Sequence, residues 1–160
     1  MDMYLGSGSY EIEGYDYDRL HAHQNIEEAC VTCHMEMRDH DDPLGWKGGH
    51  DFEASAATCT ETAGCHTATM PDFDYSGVVT EVNAKLVDLL EAIGVDDPEE
   101  LGNPDVTSPA QRMAGYAYVF VTEDGSHGVH NPTYALDLLD NAIAFMQTVN
   151  AAQSGPIARK

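Results

Sequence analysis

Positive charge is what this chain has least of: seven Lys and Arg stand against 28 Asp and Glu, a formal net charge of −21 over 160 residues. The acidic residues run along the whole chain and are not gathered in a tail. Phosphate binding needs a basic face, so nucleic acid is not an expected partner. Such an excess repels itself unless salt or divalent cations screen it, which fits a saline setting. Long apolar runs are missing as well, and without about 18 consecutive apolar residues no membrane span is expected. Cysteine is limited to four residues. With 42% hydrophobic residues, the chain can bury one core, though not a generous one.

What is present divides into two halves of different character. Residues 1–77 show almost no helical period, and Gly, Asp, His and Thr alternate with single apolar residues. From Val78 the pattern changes, as Val78, Val79, Val82, Leu86, Leu89, Leu90 and Ile93 trace one stripe at helical spacing that Gly94 closes. Residues 95–107, with Pro98, Gly102 and Pro104, read as a loop. Ser108-Pro109 is an N-cap followed by a first helical residue, predicting a helix to about Val121. Asn131-Pro132 repeats that signal before a third stripe of Ala135, Leu138, Leu139, Ala142, Ile143, Met146 and Val149. The tail from Ala151 is polar and expected to fray.

Chemistry concentrates in the first half. Cys30-Val31-Thr32-Cys33-His34 is a C-x-x-C-H, the attachment signature of c-type haem. Two thiols must reach the two vinyl groups on one edge of the macrocycle, while the following histidine turns under the ring to ligate iron. Cys59-Thr60-Glu61-Thr62-Ala63-Gly64-Cys65-His66 ends in the same Cys-His pair with five residues between its thiols. Gly64 permits a looped-out backbone there, and Cys59 is either the second thioether residue or a bystander beside Cys65. A zinc knot or a pair of disulfides is the alternative use of four cysteines. Zinc favours short, similar spacings and would leave the other histidines unexplained. A thioredoxin-like site has no βαβ pattern around it.

Eight histidines accompany so few cations. His34 and His66 serve as proximal ligands on this reading. Two distal ligands suffice for two low-spin haems, to be drawn from His21, His23, His40, His50, His127 and His130. His40 follows His34 too closely to reach the opposite ring face easily. His50 lies in Gly48-Gly49-His50-Asp51-Phe52, where glycine allows close backbone approach, and His130 stands fixed ahead of a helix start.

The segment from Cys30 to Met35, then His50-Asp51-Phe52, then Gly125-Ser126-His127-Gly128-Val129-His130-Asn131-Pro132-Thr133-Tyr134-Ala135 with Leu138-Leu139, resembles the C-terminal portion of multihaem cytochromes c. That family comprises the ammonia-forming cytochrome c nitrite reductases and their non-catalytic relatives. The likeness covers roughly residues 14–152, with Gly-Val-His-Asn-Pro its most specific part. It implies that His50 and His130 are distal haem ligands. It also implies that His21 or His23 is a third, which in the larger relatives would serve a haem bound elsewhere. Those relatives carry four or more haems. No C-x-x-C-K occurs here, so the site where the reductases bind nitrite is not carried over, and no enzyme is expected.

The expected fold is therefore mainly α with extensive irregular structure. A single dihaem domain would span 1–160, with a haem-organised half (1–77), about three helices (78–150) and a tail (151–160). The expected function is electron transfer by two covalent haems c with bis-histidine iron. A spare histidine ligand crossing between copies predicts a head-to-tail homopolymer, an extracellular filament; the alternatives are a periplasmic carrier that passes electrons to other redox proteins, and a relative of a multihaem nitrite or hydroxylamine oxidoreductase. Asp39-His40-Asp41-Asp42 and Asp96-Asp97 beside Glu99-Glu100 lack the ligand spacing of a calcium loop and read as solvated acidic loops, with weak calcium affinity at most. Haem attachment takes place outside the cytoplasm, so export is expected, although Met1-Asp2-Met3-Tyr4 does not open a secretory signal. Trp46, Phe52, Phe73, Tyr116, Tyr118 and Phe120 are candidate ring-packing residues. Without haem the chain is expected to be largely unfolded.

Overall fold

The computed structural model describes residues 2–35, 52, 54–62, 66 and 72–154. Among these the architecture is mainly helical and contains no strand. It forms two compact units, Met1–His21 with Gly77–Lys160, and Ala22–Ser76.

The larger unit is built on three helices, α3 (Val78–Ile93), α4 (Pro109–Glu123) and α5 (Pro132–Gln153), and each pair is in contact. A short α1 (Asp2–Leu5) precedes them. The stripe read from the sequence is the buried face of α3: Val82, Leu86, Leu89 and Ile93 are buried, and Gly94 ends the helix in the left-handed conformation with its N–H on the Leu90 carbonyl. Ser108 caps α4 through a reciprocal pair of bonds with Gln111. On α5 the buried residues are Tyr134, Ala135, Leu138, Leu139, Ala142 and Met146, whereas Ile143 and Val149 are partly covered. The loop between α3 and α4 holds a 3-10 turn, Pro98–Gly102, whose Leu101 seats against Gly115 of α4; a Cβ at Gly115 would lie 3.1 Å from a Leu101 methyl.

The first 21 residues join this unit although they carry no apolar period. Met3 and Ile12 enter the core, but polar groups at one face of α5 hold the strap. Asn131 accepts from Tyr134 N as the N-cap and donates to the Arg19 carbonyl. The Tyr134 hydroxyl donates to Glu11, which also receives the Arg19 guanidinium. Asp137 accepts from Asp18 N, and Asn141 donates to the Asp16 carbonyl. The spacing 131, 134, 137, 141 is one helical face.

Ala22–Ser76 is made differently. Its described elements are a 3-10 turn (Ala22–Asn25), α2 (Cys30–His34) and a π-helical turn (Thr58–Thr62) that packs on α2. Thr58 is its only described residue that is buried, and none of its described residues belongs to the hydrophobic core.

Candidate haem sites

The chemistry of the first site starts with the short helix α2. A helical turn sets Cys30 and Cys33 on one face three residues apart, with His34 following. Just before it, Glu28 and Ala29 take left-handed φ values of 59° and 42°, a conformation that costs of order 1–3 kcal/mol per non-glycine residue and clusters at functional sites. The His34 Nδ1 lies 2.8 Å from the Phe52 carbonyl. A carbonyl only accepts, so Nδ1 carries the proton and Nε2 keeps the lone pair that a metal requires. Metal-ligating histidines are commonly oriented in this way. Phe52 itself has φ 58° and an exposed side chain whose ring is tilted 33° to His34.

Cys59 lies on the π-helical turn, and the amide N–H of His66 donates to the Cys59 carbonyl at 3.2 Å. That bond has the same sense as the one an α-helix makes between residues four apart, yet it spans the longer spacer. Cys59 and His66 thus remain backbone neighbours. The His66 ring lies 4.1 Å from Tyr75 and 6.3 Å from His23, centre to centre. Cys30, Cys33 and Cys59 are half-buried thiols. Cys65 and His50 lie outside the described residues, as do His40, Trp46 and the acidic run 39–42. Among the described residues no three His, Cys, Asp or Glu side chains gather as a metal site.

The larger unit holds the other histidines. His130 Nδ1 lies 2.8 and 3.0 Å from the two Asp124 carboxylate oxygens, and Ser126 both donates to Asp124 and accepts from His130 N. Burial favours the neutral Asp124, but the hydrogen bonds from His130 and Ser126 outweigh it, so the carboxyl titrates below its usual range. The carboxylate fixes the tautomer of His130 with Nε2 as the lone-pair nitrogen. Gly128 at φ 92° lets this loop lie against α3, where a Cβ would come within 2.8 Å of a Val82 methyl. His127, at φ 50°, is held by Asn83 at 2.9 Å. His21 differs, since its Nε2 is the nitrogen engaged, 2.7 Å from the Tyr4 carbonyl. It would have to break that bond to ligate iron through Nε2.

Of the aromatic residues proposed to cover a ring, Phe73 and Tyr116 are exposed, while Tyr118 and Phe120 pack against the helical core. Asp124, Asn83 and Tyr75 escaped the sequence reading. Asp124 stands six residues before His130 in a glycine-rich loop and carries a local signal, whereas Asn83 is distant in sequence and has none.

Comparison of the chain with protein-family models, with curated proteins and with solved structures finds no match.

The donor set fits haem c. Paired thiols on one helical turn, followed by a histidine whose Nδ1 is committed to a carbonyl, are the groups that thioether attachment and axial ligation need. Cys30, Cys33 and His34 would hold one haem, and Cys59, Cys65 and His66 a second.

Proposed function

We propose that this chain is an exported dihaem c-type cytochrome that transfers electrons. The observation that carries the reading is α2 itself, with Cys30, Cys33 and a tautomer-fixed His34 in succession. The Cys59–His66 backbone bond supports Cys59 as a thioether residue of the second site. Bound haem supplies one-electron iron chemistry. The chain's own part is to anchor, orient and cover: thiols fix the position, Phe52 aims His34, and Asp124 aims His130. Histidine ligands on both sides of each iron would leave no position for substrate, which favours conduction over catalysis.

Even with His21 Nε2 engaged by Tyr4, the candidate distal ligands His23, His50 and His130 are more than two irons need. That surplus supports a larger form of the same reading, in which copies join head to tail outside the cell and a histidine crosses between them. No helix among the described residues is long and apolar enough to cross a membrane, and the net charge of −21 makes assembly dependent on salt or bound cations.

Intact mass of the purified protein counts covalent haems, and two are expected, with a Soret band and no carbon monoxide binding to the reduced form. A colourless protein with zinc or disulfides on its thiols would overturn the reading. Negative-stain images of the salt-equilibrated protein should show filaments that persist on dilution; a monomer by light scattering at high salt would remove the filament and leave the carrier.

A further inference from the structure

We propose that His23 is the second axial ligand of the haem whose first ligand is His66, both histidines coming from the same chain. The inference rests on the haem reading of the Cys59-to-His66 segment and names what that reading left open, the partner of His66.

The rings of His23 and His66 have centres 6.3 Å apart, with planes at 68°. A metal-bound imidazole nitrogen at about 2.0 Å puts its ring centre about 3 Å from the metal, so two rings on opposite sides of one ion have centres about 6 Å apart. The 6.3 Å between His23 and His66 is the separation that two imidazoles sharing one ion would have.

Both ends are anchored. His23 belongs to the 3-10 turn Ala22–Asn25, and its carbonyl accepts from Ile26 N at 3.0 Å. The backbone of His66 is tied to Cys59, and Tyr75 lies 4.1 Å from its ring at 66°. His21, two residues before His23, has its Nε2 on the Tyr4 carbonyl. The pair His21 and His23, alike in sequence, therefore separates into one residue held by its own unit and one placed beside His66.

The test uses the holoprotein, with intact mass confirming two covalent haems in every variant. In the wild type, axial planes far from parallel should give a low-spin ferric resonance with a single large g feature. His23→Ala should convert one haem of the two to high spin and let the reduced protein bind one equivalent of carbon monoxide, where the wild type binds none. His21→Ala should leave both haems low-spin. His23→Met should restore a low-spin iron with a raised potential, as methionine ligation does, an outcome that a purely structural His23 would not produce. Two covalent haems that stay low-spin and refuse carbon monoxide in both His23→Ala and His23→Met would overturn the pairing while leaving the cytochrome intact. A mass showing no haem on the Cys59-to-His66 segment would overturn both.

Discussion

The helical unit and the described part of Ala22–Ser76 differ in what their side chains bury. In the first, aliphatic residues from three helices make a continuous core in which Val82, Leu89, Leu138 and Leu139 are all but inaccessible. In the second, Thr58 is the one buried residue among those described, and the recognisable features are thiols, imidazoles and left-handed backbone. Burying a Leu side chain stabilises by about 1.5–3 kcal/mol, so the helices can hold themselves together. The described part of Ala22–Ser76 has no comparable source of stability in its own side chains. On the reading proposed above, bound haem would supply it.

On that reading, the largest effect should come from preventing haem attachment. Cys30→Ser with Cys33→Ser is expected to lower the haem count by one and to open Ala22–Ser76 to limited proteolysis, while a fragment covering residues 77–154 survives. This narrows the expectation from sequence that the haem-free chain unfolds largely throughout. Simultaneous digestion of both units would break the contrast between them. Next in size is Leu89→Ala in α3, expected to cost about 2–5 kcal/mol in thermal or denaturant unfolding of the helical unit, with the visible spectrum unchanged under native conditions.

The polar strap comes after. Asn131 is fully buried, caps α5 and holds the Arg19 carbonyl. Asn131→Ala should cost about 1–2 kcal/mol for the cap, with faster amide exchange in residues 9–20. The smallest effect is acid release of the strap. Burial raises the Glu11 pKa, and hydrogen bonds from Arg19 and Tyr134 lower it by more, so the folded value lies below the ordinary one. A carboxyl depressed in the folded state adds stability that is complete above its unfolded pKa, about 4.3, and is lost as pH falls through the folded value. Glu11→Gln should flatten that acid limb, as read by exchange or melting between pH 5 and about 3.

The two regions also differ in what their sequence discloses. The helices α3, α4 and α5 were legible because each signal is local: a stripe at period 3.6, Pro after a capping Ser or Asn, a closing Gly. The strap was not, since Asn131, Tyr134, Asp137 and Asn141 grip a distant main chain that leaves no periodic mark on residues 1–21. The short helix at Cys30 carries a signal as local as theirs, the five consecutive residues Cys-Val-Thr-Cys-His. The neighbourhood of His66 was not, because His23 and Tyr75 reach it by folding, and sequence alone left His21 and His23 equivalent. His50 and Cys65 fall outside the described residues.

The hydrogen bond from His66 N to the Cys59 carbonyl bears on how a widely spaced cysteine–histidine pair can be found in a sequence. It means that the main chain can bring a cysteine and a histidine to one helical step of each other whatever number of residues bulges between them. A search written as a fixed count of letters passes over the pair, whereas one that asks which amide closes on which carbonyl would find it.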